Sequence, residues 1–228
     1  MFRGKKYKNL AKAINRNQQY DLAEAIQILK KSEIKFDQTV EVHFNLGVDP
    51  KHSDQVVRGT VVLPHGTGRD VRVLVFCKDN NLEAAKEAGA IDAGGEDLVQ
   101  KIQGGWLEFD AVIATPDMMP VISRVAKILG PRGLMPSPKA GTVTLNVAQT
   151  VKELKAGKIQ YRVDKGANIH TPVGKLSFAE EQLIDNIKSV VDSVIKAKPQ
   201  TSKGTYIKSL TLTATMTPSI KLDLSLTR

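Results

Sequence analysis

Apolar and polar residues alternate along residues 36–45, and this is the clearest local pattern in the chain. The even positions include the apolar residues Phe36, Val40, Val42 and Phe44. The odd positions are the polar residues Asp37, Thr39, Glu41, His43 and Asn45. A period of two predicts a strand with one buried face and one exposed face. The exposed face carries short hydrogen-bonding groups instead of the Lys and Glu of an ordinary surface. It is either the polar face of a plain antiparallel strand or a binding surface.

The residues around this strand predict a first, mainly antiparallel region. Residues 1–19 are basic and polar and form either a tail or a short helix. Asp21 is a candidate N-cap for a helix that ends near Lys30, with an apolar stripe of Ala23, Ala25, Ile26 and Leu29. A further strand is predicted over residues 56–63, where Pro64 ends it.

The pattern changes from residue 71, because short apolar strands then alternate with helices. The predicted elements are a strand at 71–77, a helix at 79–88, a short strand near Ile91, a helix at 96–103, a strand at 111–114, a helix from Thr115 to Gly130, a strand at 143–147 and a helix at 151–156. Thr115 and Pro116 supply the N-cap and first position of the long helix. Such alternation predicts a layered, mostly parallel α/β fold.

An antiparallel pattern returns after Gly157. Short strands are predicted at 159–164 and 169–173, a helix at 179–197, and two long strands at 206–216 and 220–227. Neither end of the chain holds enough elements to close a core alone. We therefore predict an α/β protein of two domains, a discontinuous α+β domain with an antiparallel sheet from residues 1–66 and 159–228, and a domain inserted at 67–158.

Charge supports this division and points to a partner. The net charge is +9 and the isoelectric point is near 9.5, which favours a polyanionic partner or an anionic surface. Residues 1–66 have 11 basic and 7 acidic residues, a net charge of +4. Residues 67–158 have 12 and 11, a net charge of +1, and residues 159–228 have 10 and 6, a net charge of +4. The excess positive charge therefore lies in the two ends.

Several functional classes lack their motifs. No Gly-x-Gly-x-x-Gly loop follows the strand at 71–77 and no Walker loop is present, so we predict neither a nucleotide cofactor nor an enzyme. The four histidines have no metal-ligand spacing, and we expect no metal. Cys77 is predicted to be a small buried hydrophobe. Without an apolar run of membrane-spanning length or a secretory segment, the expectation is a soluble, cytoplasmic protein.

The loop at 130–142 is a second candidate surface. It contains three prolines, and it carries Arg132 and Lys139 without a nearby acid. Long structured loops are commonly functional. Contact with a phosphate backbone and a simple structural lid are both compatible with this composition.

Six strings spread along the chain carry a resemblance to a known family. They are KFDQTVEV at 35–42, DQVVRGT at 54–60, LPHGTG at 63–68, ILGPRGLMP at 128–136, PKAGTV at 138–143 and PVGK at 172–175. Together they resemble the family of the universal ribosomal protein L1, whose members form the mobile side stalk of the large ribosomal subunit. The resemblance implies a Rossmann-like domain inserted into a domain built from both termini. It also implies that the protein is monomeric when free and part of the 50S subunit when assembled.

The resemblance further implies binding to a helical junction of large-subunit ribosomal RNA, assistance in releasing deacylated tRNA from the exit site, and repression of the protein's own messenger. By position, the RNA-binding residues of the family fall on Lys35, Phe36, Thr39, Glu41, Ser177, Thr215, Met216 and Thr217. Arg132, Lys139 and Lys175 are possible secondary contacts. Thr217 departs from the glycine that is usual in the family, and a glycine there would allow either close backbone approach or a positive φ.

Three hypotheses remain at this point. The first is a non-enzymatic structural protein of the large subunit that binds RNA through short polar groups on a preformed sheet. The second is a free regulatory RNA-binding protein whose main target is a messenger. The third, from another class, is a nucleotide-dependent α/β enzyme with a basic accessory domain. Since the chain shows no row of exposed aromatic residues, a single-strand reader is disfavoured.

Overall fold

The computed structural model describes residues 4–227 apart from 16, 33, 53, 79 and 80, and the side chains of 139, 226 and 227 also lie outside the description. The helices are α1 (Lys5–Lys12), α2 (Leu22–Lys30), α3 (Leu82–Glu87), α4 (Glu96–Gln103), α5 (Met119–Ile122), α6 (Ala126–Leu129), α7 (Val147–Lys155) and α8 (Glu180–Lys196). The strands are β1 (Thr39–Leu46), β2 (Arg58–Val62), β3 (Val73–Phe76), β4 (Asp92–Gly94), β5 (Ala111–Ala114), β6 (Lys158–Arg162), β7 (Asn168–Lys175), β8 (Ile207–Ala214) and β9 (Ile220–Lys221).

The chain divides into two compact units. The first unit combines Met1–Gly68 with Ile159–Arg228, and the second unit is Arg69–Lys158. The first contains a four-stranded sheet in the order β7-β1-β8-β9, whose paired strands all run antiparallel. The second contains a parallel sheet in the order β4-β3-β5. The predicted mixed α/β class is therefore confirmed.

Strand β1 is central in its sheet, and its alternation matches the prediction. Val40, Val42, Phe44 and Leu46 are buried, whereas the residues between them are partly exposed. The buried residues of β1 join one core with apolar residues of α2 and α8. The prediction was wrong at the start of the strand, because Phe36 precedes β1 and is 49% exposed.

Helix α2 begins as its sequence predicts. Asp21 has extended backbone angles, and its side chain accepts a hydrogen bond of 3.4 Å from the backbone N–H of Ala23, which satisfies one otherwise unpaired donor at the start of the helix. The buried stripe consists of Leu22, Ala25, Ile26 and Leu29. Leu22 therefore replaces the predicted Ala23, which is only half-buried.

The parallel sheet of the second unit has helices on both faces. Alternate residues of β3 enter two cores, with Leu74 and Phe76 packing beside α4 and Val73 and Val75 packing beside α7. All four β3 residues are buried, as expected for a strand covered on both sides. Cys77 is buried as predicted.

Three predicted elements of the chain are wrong. The helix from Thr115 to Gly130 is broken into α5, α6 and two 3₁₀ turns, Pro116–Met118 and Ser123–Val125. Pro120 in the first turn of α5 has no N–H to continue a helix from Pro116. The strand at 143–147 is only an isolated bridge from Val143 to Ala114, and α7 already begins at Val147.

The third wrong prediction is the long last strand at 220–227, since β9 has only two residues. The backbone of Tyr20 pairs with this edge instead. The N–H of Tyr20 donates to the carbonyl of Lys221 at 3.0 Å, and the N–H of Asp223 donates to the carbonyl of Tyr20 at 3.0 Å. The chain then enters a 3₁₀ turn, Leu224–Thr227. Aspartate is poorly suited to a strand interior, which is consistent with the strand ending before Asp223.

Candidate RNA interface at one end of the antiparallel sheet

The start of β1 meets the ends of both neighbouring strands. Because β7 and β8 run antiparallel to β1, Thr39 pairs with Lys175 of β7, and Val40 pairs with Ala214 of β8. Three distant chain segments thereby come together. We refer to the polar residues at this place as the strand-end cluster, which consists of Asp37, Gln38, Thr39, Lys175, Ser177 and Thr215.

Thr39 and Thr215 are bound to each other through backbone and side chain. The N–H of Thr39 donates to Thr215 Oγ1 at 3.2 Å, and the N–H of Thr215 donates to the carbonyl of Thr39 at 3.0 Å. The Thr215 hydroxyl also lies 3.3 Å from that carbonyl. The two predicted residues therefore occupy one fixed site although they are 176 positions apart.

A β-bulge brings Lys175 to the same place. The register shifts by one residue between Val40, which pairs with Gly174, and Glu41, which pairs with Pro172. Gly174 has φ of 153°, and a Cβ there would come within 3.0 Å of the Leu183 side chain. Bulges commonly redirect side chains near functional sites. Lys175 Nζ here donates to Thr39 Oγ1 at 2.9 Å.

Ser177 is held by an acidic residue of the cluster. Its N–H and its hydroxyl donate to the two carboxylate oxygens of Asp37 at 3.2 and 2.9 Å. The hydroxyl proton of Ser177 is thus used inside the protein, while its oxygen retains acceptor capacity. Ser177 can therefore accept a hydrogen bond from a ligand without losing its bond to Asp37.

The turn after β8 presents Met216. Met216 has φ of 65° and is 71% exposed, an uncommon conformation for a residue with a side chain. The Thr217 hydroxyl secures the turn, because its oxygen accepts from the N–H of Ala214 at 2.9 Å and its proton donates to the carbonyl of Ala214 at 2.8 Å. The positive φ of this turn lies at Met216, and Thr217 does not share it. A need for positive φ at position 217 is therefore excluded for this chain.

The remaining predicted residues of the first segment surround the cluster. Lys35 and Phe36 are exposed immediately before it. The Glu41 side chain is 43% exposed, and its Oε2 lies 3.8 Å from His43 Nε2. His43 Nδ1 lies 2.7 Å from His170 Nδ1. Burial and the neighbouring His170 lower the pKa of His43, and Glu41 partly opposes this shift.

Two of the predicted secondary contacts, Arg132 and Lys139, belong to the second unit and are not part of the strand-end cluster. Arg132 is exposed after α6, and Lys139 lies in the 3₁₀ turn Pro138–Ala140, with its side chain outside the described residues. The loop that carries them has a defined shape. Thr142 Oγ1 accepts from the N–H of Ser137 at 2.9 Å and lies 3.3 Å from the carbonyl of Ser137.

Sequence reasoning missed Asp37 and Gln38 as parts of the cluster. Gln38 is 1% exposed, and its Nε2 donates to the carbonyl of Thr215 at 2.6 Å. Its Oε1 is the one buried side-chain polar atom without a partner among the described residues. A signal for Gln38 was present, because it is a polar residue among the alternate, apolar positions of the predicted strand at 36–45.

The described residues offer neither a metal site nor a membrane-spanning helix. In this part of the chain, no cluster of three or more His, Cys, Asp or Glu side chains is arranged to hold a metal ion. No described helix has the length and apolar character needed to cross a membrane.

The fold and the cluster define a mixed α/β protein with a hydroxyl-rich surface at one end of its antiparallel sheet, where Lys175 and Asp37 contribute one charge of each sign. Residues 28–218 match the model of the ribosomal protein L1p/L10e family, and the chain belongs to that family. It is 55% identical over 220 residues to the large ribosomal subunit protein uL1 of Chlorobaculum tepidum, an alignment that covers 96% of this chain and 95% of that protein. The family predicted from the six sequence strings is confirmed.

Proposed function

We propose that the protein is a structural constituent of the large ribosomal subunit and binds a helical junction of large-subunit ribosomal RNA through the strand-end cluster. Membership of a ribosomal protein family and the similarity to a large-subunit protein support the assembly. The observation that supports the RNA contact is the convergence of Thr39 from β1, Lys175 from β7 and Thr215 from the turn after β8.

The cluster has unused hydrogen-bonding capacity that matches RNA. The Thr39 hydroxyl accepts from Lys175, and its own proton has no acceptor within the described residues. The Thr215 oxygen has a second lone pair, and the Lys175 ammonium has two further N–H groups. These groups can donate to phosphate oxygens and accept from a ribose 2′-hydroxyl, which is how folded RNA is recognised by shape.

Glu41 requires a different role from the other predicted residues. A carboxylate repels phosphate, so we propose that Glu41 accepts a hydrogen bond from a 2′-hydroxyl or a base amino group. Phe36, Met216 and the stem of Lys35 provide apolar contact around the polar centre. Arg132 and Lys139 are proposed as secondary phosphate contacts from the loop of the second unit.

We extend the proposal to two activities that the family resemblance implies, release of exit-site tRNA and repression of the protein's own messenger. Repression would use the same surface if the messenger imitates the ribosomal junction. Crosslinking in cells followed by sequencing of the bound RNA separates these targets. We expect the ribosomal junction to dominate, whereas a messenger as the main target would favour the free regulatory protein.

A salt titration tests whether shape or charge dominates binding. If the net charge alone drove binding, any duplex RNA would compete and affinity would fall steeply with salt. We expect a moderate salt dependence and a strong preference for the junction fragment over a random duplex. Equal affinities for the two RNAs would refute the specific interface.

We propose that residues 67–158 form an inserted domain and that the rest of the chain folds and binds RNA without it. Replacement of these residues by a short Gly/Ser linker should leave a folded protein that still binds the junction fragment. Loss of specific binding by a variant that remains folded would contradict this proposal.

A further inference from the structure

A groove of about 180 Å³ runs along α1 beside the turn that carries Met216. We refer to it as the α1 groove, and the lining residues that matter here are Lys6, Tyr7, Leu10, Lys31, Ile34 and Met216. The groove lies wholly within the first unit. Its volume is below the roughly 300–1,000 Å³ of sites for drug-sized ligands, so it suits one small planar group and not a folded partner.

The chemistry of the groove combines apolar walls with basic residues. Leu10, Ile34 and Met216 supply apolar surface, and Tyr7 supplies an aromatic ring. Lys6 and Lys31 are exposed residues of the lining. Helix α1 itself has the sequence KKYKNLAK, with four lysines and no acid. This combination matches a nucleotide, whose base is planar and whose phosphate is anionic.

Met216 connects the α1 groove to the strand-end cluster. It lines the groove, and its neighbour Thr215 belongs to the cluster. The left-handed backbone of Met216 is fixed by the Thr217 hydroxyl. Strained residues of this kind persist where surrounding structure holds them, and they concentrate at ligand sites. An unbranched methionine side chain also adapts to an irregular apolar partner.

We propose that the α1 groove receives one unstacked nucleotide of the same RNA that contacts the strand-end cluster. The base lies against Tyr7, Leu10 and Met216, and its phosphate lies near Lys6 and Lys31. Proteins that recognise folded RNA commonly hold unpaired bases turned out of the stack. This inference rests on the proposed function, because it needs an RNA already bound at the cluster.

The test uses the full chain and a large-subunit rRNA fragment that contains the junction. Tyr7→Leu removes the ring but keeps apolar volume, and loss of one stacked base typically weakens binding about five- to a hundredfold. Lys31→Gln removes one phosphate contact, so the slope of log affinity against log salt should fall by about 1. Lys8→Gln is the matched control, because Lys8 is exposed on the same helix and does not line the groove.

A second measurement locates the base. The fragment is prepared with 2-aminopurine at each unpaired adenine in turn, and all proteins are used at saturating concentration. We expect the emission at one position to change on binding the parent and Lys8→Gln, and not on binding Tyr7→Leu. Tyr7 also lines a neighbouring, more polar groove, so the Lys31→Gln salt slope provides evidence independent of that residue.

The outcomes distinguish this inference from the proposed function. If the parent prefers the junction and Thr215→Val weakens binding, but Tyr7→Leu and Lys31→Gln behave like Lys8→Gln, the groove is not a nucleotide site and the cluster remains the interface. If the parent shows no preference for the junction, both proposals are wrong. If Tyr7→Leu melts below the parent, an unchanged salt slope in Lys31→Gln is sufficient to overturn the inference.

Discussion

The two sheets differ in the side chains that they place at one of their ends. At the start of β1, the strand-end cluster offers the hydroxyls of Thr39 and Thr215 and the ammonium of Lys175. At the carboxyl end of the parallel sheet, the chain instead places acids in the first turns of the following helices. These acids are Glu83, Glu96, Asp97 and Asp117.

This difference bears on which unit can hold an anion. Backbone N–H groups at a helix start attract phosphates, which is how parallel α/β sheets bind nucleotides. Here the acids compensate the partial positive charge at the helix N-termini, and two of them also pair with basic residues. Glu96 lies 3.1 Å from Arg124, and Asp117 lies 3.6 Å from Lys78. The second unit thus has a parallel sheet of the kind on which nucleotides commonly bind, but the helix starts beside it carry acids that disfavour an anion there.

The largest effect expected from this comparison is on RNA affinity. Thr215→Val keeps the side-chain shape but removes the hydroxyl, and a lost hydrogen-bond partner costs about 1–3 kcal/mol. We expect binding of the junction fragment to weaken roughly five- to a hundredfold, as measured by titration. Ser177→Ala should act in the same direction, because it removes an acceptor for RNA and leaves Asp37 with only the backbone N–H of residue 177 as its donor.

Two control variants make this comparison sharper. Lys198→Ala removes an exposed lysine after α8, and Lys78→Gln removes a lysine just beyond the carboxyl end of β3, the central strand of the parallel sheet. Both should bind the junction fragment nearly as the parent does. If Thr215→Val and Met216→Ala both bind like the parent while remaining equally stable, the RNA site lies elsewhere, and the loop at 130–142 becomes the candidate.

An intermediate effect is expected on stability at the Met216 turn. Thr217→Gly removes two hydrogen bonds to the backbone of Ala214, each worth about 0.5–1.5 kcal/mol, and it gives the unfolded chain more freedom. For a chain of this size, 1 kcal/mol shifts the Tm by about 2–4 °C. We therefore expect a Tm several degrees lower by thermal melting, with Thr217→Ser close to the parent.

A parent-like Tm for Thr217→Gly would mean that the turn does not depend on this hydroxyl.

All four tyrosines of the chain, Tyr7, Tyr20, Tyr161 and Tyr206, lie in the first unit, and the single tryptophan, Trp106, lies in the second. Tyrosine absorbance and tryptophan fluorescence therefore report on the two units separately. The expected shift should appear in the tyrosine signal.

Local patterns predicted the fold well where a single period persisted. The alternation in β1, the capped start of α2 and the helix at 96–103 follow directly from their sequences. Errors arose where tertiary contacts decided the outcome. Tyr20 pairs with the edge at Lys221 and Asp223, and nothing near residues 220–227 signals a partner 200 positions away.

The site could be predicted only in part, because its residues meet through tertiary contacts. The family resemblance identified Thr39, Ser177 and Thr215 by position, but only the shared sheet explains why they meet. The bulge at Gly174 and the buried Gln38 depend on cross-strand register, which no single segment encodes. At Thr217 the sequence alone could not say whether the usual family glycine is needed for a positive φ. The structure shows that the positive φ of this turn lies at Met216.

The smallest expected effect concerns pH and again separates the two units. Burial and His170 lower the pKa of His43 in the folded protein, so the unfolded chain takes up this proton at a higher pH than the folded chain. The corresponding stability is present above the ordinary histidine pKa of about 6.5 and is lost as the pH falls through the lowered folded value.

The groups that face His43 are Glu41 on its own strand, Thr213 on β8 and His170 on β7, and Asp164 lies 3.5 Å from the other side of His170. Residues 69–158 contain no histidine. On lowering the pH from about 7.5 to 5.5, the tyrosine-monitored Tm should therefore fall more than the tryptophan-monitored Tm. His52 and His65 also lie in the first unit, so His43→Gln is needed to assign the effect. This variant should lose part of the pH dependence in the tyrosine signal and leave the tryptophan signal unchanged. A pH profile identical to that of the parent would show that the His43–His170 contact does not couple to folding.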